Sequence, residues 1–485
     1  MSIRNIASST LWQVGSQAAM ALLSALSAKF VAMGLSKELA GAYNTSYGYL
    51  QLFAILADFG LYAVSVREVS IAQDKRRVLG ALMTLRSIIA TISLLTAVII
   101  AWIVPAWHGT ALPISVSIAA LVPFFTLLAG VLRTTFQISY SMQYVFIAEV
   151  SQRVLTAGLM ALLILAGVRL SDSTLVLQLF LWIGALGALL LLILSLVYSS
   201  RIMPVSFSFD RVLLRRLLSH AMPYGVAFLC IALYRQFDLT MIALLRPDFK
   251  LQNAVYGFAS RIAEMTYLVP TFLLNSTLPV VSDRSKKGED TRSLLGKTFL
   301  VILAVCGASA LFSFFAATPI MRLLTTDAYL ANADQLGSDT ALQLLALPML
   351  LNGIVLFSFY SLLTRHVWKP LVLTMMIAVG LSITCNLLWI PEHGFVGAIR
   401  SSTVVHLFLA LTLLPQALRV MPMHFPAEYF LRLTVFFGGL GLILALLTPL
   451  VPSTTLTSVL ALLAGAGLTV GMGFVTGLHR ILSFK

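Results

Sequence analysis

Charge is scarce in this chain. Only 10% of its 485 residues are Asp, Glu, Lys or Arg, and just 18 are acidic. Soluble domains carry about a quarter charged residues, so an ordinary water-exposed surface is excluded. Cysteine is nearly absent too. Cys230, Cys306 and Cys385 each sit inside an apolar run, which argues against a disulfide framework or a thiolate metal site and reads as small buried hydrophobes. The seven histidines are scattered without metal-ligand spacing. No Walker-type glycine loop is present, so no ATP-driven chemistry is expected, and no nucleophile elbow appears. The period-two alternation of a transmembrane barrel is missing as well. No cofactor and no metal are expected.

What remains is apolar. Hydrophobic residues make up 59% of the chain, in runs of about twenty residues, the length of a membrane-crossing helix. Lipid offers no partner to backbone N–H and C=O groups, so such runs must be helices. The sequence therefore predicts an all-α integral membrane protein with about fourteen spans, near 8–33, 41–66, 82–104, 112–136, 144–168, 174–199, 217–244, 253–280, 294–318, 338–363, 368–390, 395–420, 428–450 and 454–477. Pro391–Gly394 marks one turn and Pro449, Val451 and Pro452 another. The N-terminal run reads as a first span, not a removable signal.

The net charge of +14 follows from topology. With the N-terminus inside, twenty-two cations fall on the cytoplasmic side, among them Arg4, Lys75–Arg77, Arg86, Arg133, Arg211, Arg215, Arg216, Lys286, Arg480 and Lys485. Five fall outside: Lys37, Arg169, Arg246, Lys250 and Arg322. One missed span would invert every later loop and erase this positive-inside bias. Aromatic residues do not interleave with a basic face, so nucleic acid is not an expected partner.

Gly41-Ala42-Tyr43 and Ala254-Val255-Tyr256 open two spans 213 residues apart, each after a short polar turn. The offset maps spans one to six onto seven to twelve, as in transporters built from duplicated halves. The expected divisions are an N-terminal six-helix lobe 1–200, a cytoplasmic linker 201–218, a second six-helix lobe 219–422 and two additional helices 423–485. In the linker, Arg211, Arg215 and Arg216 among leucines suit either an interfacial helix or a solvated connector.

The order Gly41-Ala42-Tyr43, Ala57-Asp58-Phe59-Gly60-Leu61, Arg67-Glu68, Pro223, Asp238, Tyr256, Pro279 and Gly394-Phe395-Val396-Gly397-Ala398 resembles the polysaccharide transporters. These are Wzx-type oligosaccharide flippases of the multidrug/oligosaccharidyl-lipid/polysaccharide exporter superfamily. The resemblance covers spans one to twelve. It implies two six-helix lobes around a central cavity, in a bacterial cytoplasmic (inner) membrane, where the cation bias puts both termini inside. It implies an undecaprenyl-diphosphate-linked oligosaccharide as cargo, an O-antigen or exopolysaccharide repeat. Its partners would be membrane lipid, a polysaccharide polymerase and a chain-length regulator. A drug/cation antiporter of the same superfamily usually carries an acid in span one, where this chain has none. A lipid II flippase shares the architecture, but its first-span Arg-Asp signature is missing. A membrane-embedded polymerase or ligase needs a large outer loop, also missing.

Charges inside spans are the candidate site. Each costs a few kcal/mol at depth and normally faces a bundle interior or a watery cavity. Arg235, Arg261, Arg153, Arg400 and Lys29 are the candidate substrate contacts, since a guanidinium fork fits phosphate. Asp58, Glu149, Asp238 and Glu264 are the candidate ion-coupling or charge-pairing carboxylates. Glu149 with Arg153, Arg235 with Asp238, and Arg261 with Glu264 share helix faces and can also neutralise each other. Arg235 and Arg261 are favoured as cavity-facing. Lys29 also suits snorkelling. Asp58 is expected to pair with Arg67 or Arg133, or to couple an ion. Asn275, Asn352 and Asn386 suit helix-to-helix bonds or sugar contacts.

Overall fold

The fold comes from a computed structural model, which describes residues 3–204, 206–424, 427–450 and 454–478. Val451, Pro452, Arg480 and Lys485 lie outside the described residues. The chain divides into two compact units, Met1–Ala254 and Val255–Lys485. Among the described residues there is no strand, only an isolated bridge between Leu35 and Ser171.

The first unit holds α1 (Ile3–Gly34), α2 (Lys37–Asp58), α3 (Leu61–Ile71), α4 (Lys75–Ile103), α5 (Leu112–Ala119), α6 (Leu121–Ile138), α7 (Met142–Leu165), α8 (Thr174–Ile202), α9 (Arg211–Gln236) and α10 (Asp238–Leu245). Here α1 packs on α7, α6 and α7 pack on α8, and α2 lies against α4 and α9. Leu79, Leu82, Leu132 and Leu217 centre one core cluster, drawn from α4, α6 and α9. Residues 211–218 form the first two turns of α9, continuous with the span that follows, rather than a separate element.

Helix α11 (Phe249–Thr266) begins four residues after α10 and runs mostly in the second unit. There follow α12 (Leu268–Lys286), α13 (Arg292–Phe315), α14 (Ala317–Leu324), α15 (Ser338–Thr364), α16 (Trp368–His393), α17 (Phe395–Val420), α18 (Ala427–Leu447) and α19 (Thr455–Val475). Helix α15 packs on α13 and α17, and α16 packs on α17. The two additional helices dock on this unit, α18 against α13 and α19 against α14. Leu433, Phe436, Leu440 and Leu444 of α18 bury themselves beside Leu300 of α13. The three cysteines are free and buried.

Among the described residues, twelve helices are long and apolar enough to cross a membrane. The other two expected spans, 41–66 and 253–280, are each a pair of helices, α2–α3 and α11–α12. Both are polar for spans: α2 carries Asn44, Thr45 and Ser46, and α11 carries Asn253, Arg261 and Glu264. Many large apolar side chains stand exposed on the outward faces, Leu162, Leu388 and Leu411 among them. Water would not tolerate so wide an apolar surface, and lipid would cover it.

The helix breaks have a chemical cause. The spans interrupted at Ala120, Tyr267 and Ala316 resume with Pro123, Pro270 and Pro319, each three residues on. A proline there lacks the N–H that would bond the carbonyl four residues back, and its ring clashes with that carbonyl. The turn expected over Pro391–Gly394 narrows to Gly394, because Pro391 and His393 still belong to α16.

Candidate functional site

The site residues are built on the broken second span. Helix α2 ends at Asp58, Phe59 turns left-handed with φ 41°, and Gly60 follows at φ 70°. A side chain at Gly60 would be strained by that φ and would lie 2.6 Å from the backbone nitrogen of Gly225 on α9. The glycines thus let α9 press against the break.

Arg86 holds the broken end. Its Nη1 lies 2.5 Å from Asp58 Oδ1 and 3.1 Å from the Asp58 carbonyl, while its Nε donates to the Leu127 carbonyl of α6 at 3.3 Å. The Arg86 side chain is only 4% exposed. Two corrections follow. Arg86 and Arg133, counted with the cytoplasmic loop charges although they fall within the expected spans 82–104 and 112–136, lie inside α4 and α6, more than one turn from either helix end. Asp58 takes Arg86 as its ion-pair partner, not Arg67 or Arg133.

Glu149 lies two turns into α7. Its Oε1 accepts from Arg133 Nη1 at 2.9 Å, and its Oε2 accepts from Ser16 Oγ of α1 at 2.5 Å. Its ion pair is therefore with a neighbouring helix as well as any pairing along its own face. Arg153, one turn further on, is half-buried.

The first turns of α9 carry a third set of charges. Glu68 of α3, nearly buried, meets His220 Nδ1 at 2.9 Å and Arg216 Nη2 at 3.7 Å. Arg77 of α4 donates to Asp210 at 2.6 Å. Asp210 also caps α9 by accepting from the backbone N–H groups of Val212 and Leu213. The Leu213 N–H and the Arg77 guanidinium hold its carboxyl below the usual carboxylate range. A cavity of about 510 Å³ opens here, lined by Glu68, Asp74, Arg77, Asp210 and Arg216 among others.

At the other end of α2, Gly41 touches chain directly. A Cβ there would sit 1.7 Å from the Lys250 carbonyl. Beside it Asn253 donates to Thr45 Oγ1 and to the Leu239 carbonyl, both at 2.9 Å, and Asn44 donates to the Asn253 carbonyl at 3.2 Å. Three of the cations expected outside meet local acids: Lys250 with Glu38, Arg246 with Asp248, and Arg322 with Asp327. The hydrogen-bonded Arg246 keeps the Asp248 carboxyl below its ordinary range.

The remaining candidates divide between the units. Arg235 is half-buried in the last turn of α9, and Asp238, 3% exposed, opens α10 beyond the break at Phe237. Lys29 is half-buried late in α1. In the second unit Arg261 is half-buried over the Phe258 ring, 5.8 Å from its centre, whereas Glu264 and Arg400 are exposed. Asn275 is exposed. Asn352 is fully buried, yet neither atom of its amide is hydrogen-bonded among the described residues, so the expected helix-to-helix bond is not made.

Sequence reasoning passed over Arg86, Arg133, Ser16, Glu68, Asn44 and Asn253. A signal existed for two of them. Glu68 is part of the Arg67-Glu68 motif, and Asn253 lies just before the repeated Ala254-Val255-Tyr256.

The comparisons agree with this architecture. A family profile described as polysaccharide biosynthesis protein matches residues 5–284, and a MatE profile matches residues 223–388. Among solved structures, the lipid II flippase MurJ in an inward closed conformation superposes with a TM-score of 0.71 at 15% identity, covering 98% of this chain and 99% of that one. An inward-facing multidrug resistance MATE family transporter gives 0.59 at 14% identity, covering 83% and 94%. A point mutant of the Vibrio cholerae MATE transporter VcmN gives 0.52 at 12%, covering 88% and 98%. No curated protein sequence matches significantly. With more than half its length under one profile, the chain belongs to the polysaccharide biosynthesis protein family, and its fold is shared with a lipid II flippase and MATE transporters.

Proposed function

We propose that this protein is a flippase for an undecaprenyl-diphosphate-linked oligosaccharide, the repeat unit of an O-antigen or other surface polysaccharide. It carries the headgroup from the inner to the outer leaflet of the bacterial cytoplasmic membrane while the polyprenyl tail stays in lipid. The cycle is alternating access, with the lobes 1–200 and 219–422 as the moving parts and an ion gradient as the energy source. Both termini face the cytoplasm, as the cation bias supports. A polymerase and a chain-length regulator act on the delivered unit. The reading is of a transporter and not an enzyme.

The observation that carries this reading is the presence of Arg153, Arg235 and Arg261, all half-buried, within helices of the membrane-spanning bundle. Guanidinium at depth is costly, and a diphosphate repays it with charge-assisted, bidentate bonds. The family match and the fold shared with a lipid II flippase add support for a lipid-borne cargo. The MatE match over 223–388 supports a second reading, a drug/cation antiporter of the same superfamily.

The test is polysaccharide export in cells. Arg235→Ala and Arg261→Ala are expected to abolish it at normal protein level, with Lys rescuing only in part. Full export from Arg261→Ala combined with Glu264→Ala would show that pair to be structural. Drug resistance conferred by the wild type, without any export defect in its absence, would favour the antiporter.

A further inference from the structure

The Glu149 cluster is an arginine already holding an anion. Arg133 grips Oε1 through Nη1 at 2.9 Å, and Ser16, 2% exposed, steadies Oε2. Arg133 Nε is buried and makes no hydrogen bond among the described residues, so the fork is half used. Arg153 is one turn beyond Glu149 on the same face of α7. Arg153 thus places a second guanidinium on the face of α7 that carries Glu149. Neither member of the ion pair is sealed: the Arg133 side chain is 23% exposed and that of Glu149 is 13% exposed.

Position gives the cluster a role. Arg133 lies near the end of α6 and Glu149 near the start of α7. By the cation bias the α6–α7 turn is cytoplasmic, and at 1.5 Å per residue Glu149 lies about 10 Å along α7 from it. An anionic headgroup entering from the cytoplasm meets this level early.

We propose that Arg133 and Arg153 form an inner-leaflet subsite for a diphosphate, and that Glu149 is the resident anion which the diphosphate displaces. This rests on the reading of the chain as a carrier of a diphosphate-linked headgroup. A carboxylate and a phosphate compete for the same guanidinium fork. Without the headgroup, Glu149 neutralises Arg133, which avoids stranding that cation in apolar surroundings. The same carboxylate reclaims Arg133 when the headgroup moves on, so the subsite binds and also releases. Ser16 links this exchange to α1.

The distinguishing variant is Glu149→Gln, which keeps the shape and the Ser16 hydrogen bond but no longer competes as an anion. Purified full-length protein is titrated with undecaprenyl diphosphate in detergent, and with inorganic pyrophosphate as competitor. Glu149→Gln is expected to bind the lipid about tenfold more tightly than wild type, an effect on the scale of one ion pair, yet to export less polysaccharide in cells. Arg133→Ala is expected to bind about tenfold more weakly, with Arg133→Lys between. Competition by pyrophosphate would place recognition on the diphosphate, whereas its absence together with unchanged variant affinities would place it on the lipid tail and overturn the subsite. Weaker or unchanged binding by Glu149→Gln would make Glu149 a structural partner and also overturn it. A wild-type protein that binds no undecaprenyl diphosphate would defeat the flippase reading itself.

Discussion

Arg86 grips Asp58 twice, through the carboxylate Oδ1 at 2.5 Å and through the backbone carbonyl at 3.1 Å. One guanidinium therefore serves as both counter-ion and C-terminal cap of α2. The carbonyls of a helix end have no intrahelical donor, and a cation there is favoured by the helix dipole. The arrangement explains why an acid occurs at the point where the second span breaks.

This pair should behave asymmetrically on mutation. Arg86→Ala strands Asp58, removes two backbone contacts and opens a void, and is expected to cost about 3–5 kcal/mol, the usual loss when one partner of a buried pair is removed. Asp58→Asn keeps a polar acceptor beside Arg86 and should cost clearly less, since the Asp58 side chain is 27% exposed. Thermal unfolding of detergent-purified variants measures both. Equal melting temperatures for Arg86→Ala and wild type would refute the capping role.

The break itself should resist filling. Gly60→Ala adds a Cβ 2.6 Å from the Gly225 nitrogen at a φ of 70°. The left-handed backbone alone costs roughly 1–2 kcal/mol for a residue with a Cβ, and the contact forces α9 away. Gly158 in α7 is the matched control, with nothing within 4 Å of an added methyl. Gly158→Ala is expected to be neutral or to stabilise by up to about 1 kcal/mol, by helix propensity. Side-by-side melting curves decide, and a Gly60→Ala protein as stable as Gly158→Ala would remove the steric argument.

Asp210 gives a pH dependence. Its carboxyl is held below the ordinary range by the Leu213 N–H and by Arg77. A depressed carboxylate contributes stability above its unfolded value, about 3.9, and loses that contribution as pH falls through the lower folded one. The first turn of α9 should therefore be protected at neutral pH and fray only in strong acid. Asp210→Ala should fray it at neutral pH, while Asp210→Asn should retain the cap and lose the bond to Arg77 as an ion pair. Amide hydrogen exchange at Val212 and Leu213 reports this, and unchanged exchange in Asp210→Ala would contradict the cap.

The sequence was most legible where physics is least local. Long apolar runs and the cation bias depend on lipid and topology alone, so the all-α membrane fold could be read without contacts. Helix ends were less legible, because hydropathy falls before a helix does. The expected span 82–104 starts seven residues after α4 does at Lys75, and 112–136 stops two residues before α6 ends at Ile138; Arg86 and Arg133 fell within those spans and were still counted with the loop cations. The runs 112–136 and 253–280 were read as unbroken, yet Pro123 and Pro270 follow breaks within them, as Pro319 follows the one after α13, whereas Pro223, Pro348 and Pro415 sit within continuous helices. Residue type alone does not separate the two groups. The pairing of charges was least legible. Spacing along one helix pointed from Glu149 to Arg153, while the partners Arg133 and Ser16 come from other helices, 16 and 133 residues away. Such partners depend on helix rotation and register, which a single sequence does not state.

The burial of Cys230, Cys306 and Cys385 has a practical side. None of the native thiols is presented to a charged, water-borne maleimide. New cysteines can therefore be introduced one at a time into the wild-type background, without first building a cysteine-free protein. Substitutions at Ser285, in the last turn of α12, and at Ala333, before α15, would then report sidedness as single labelled bands over a blank lane.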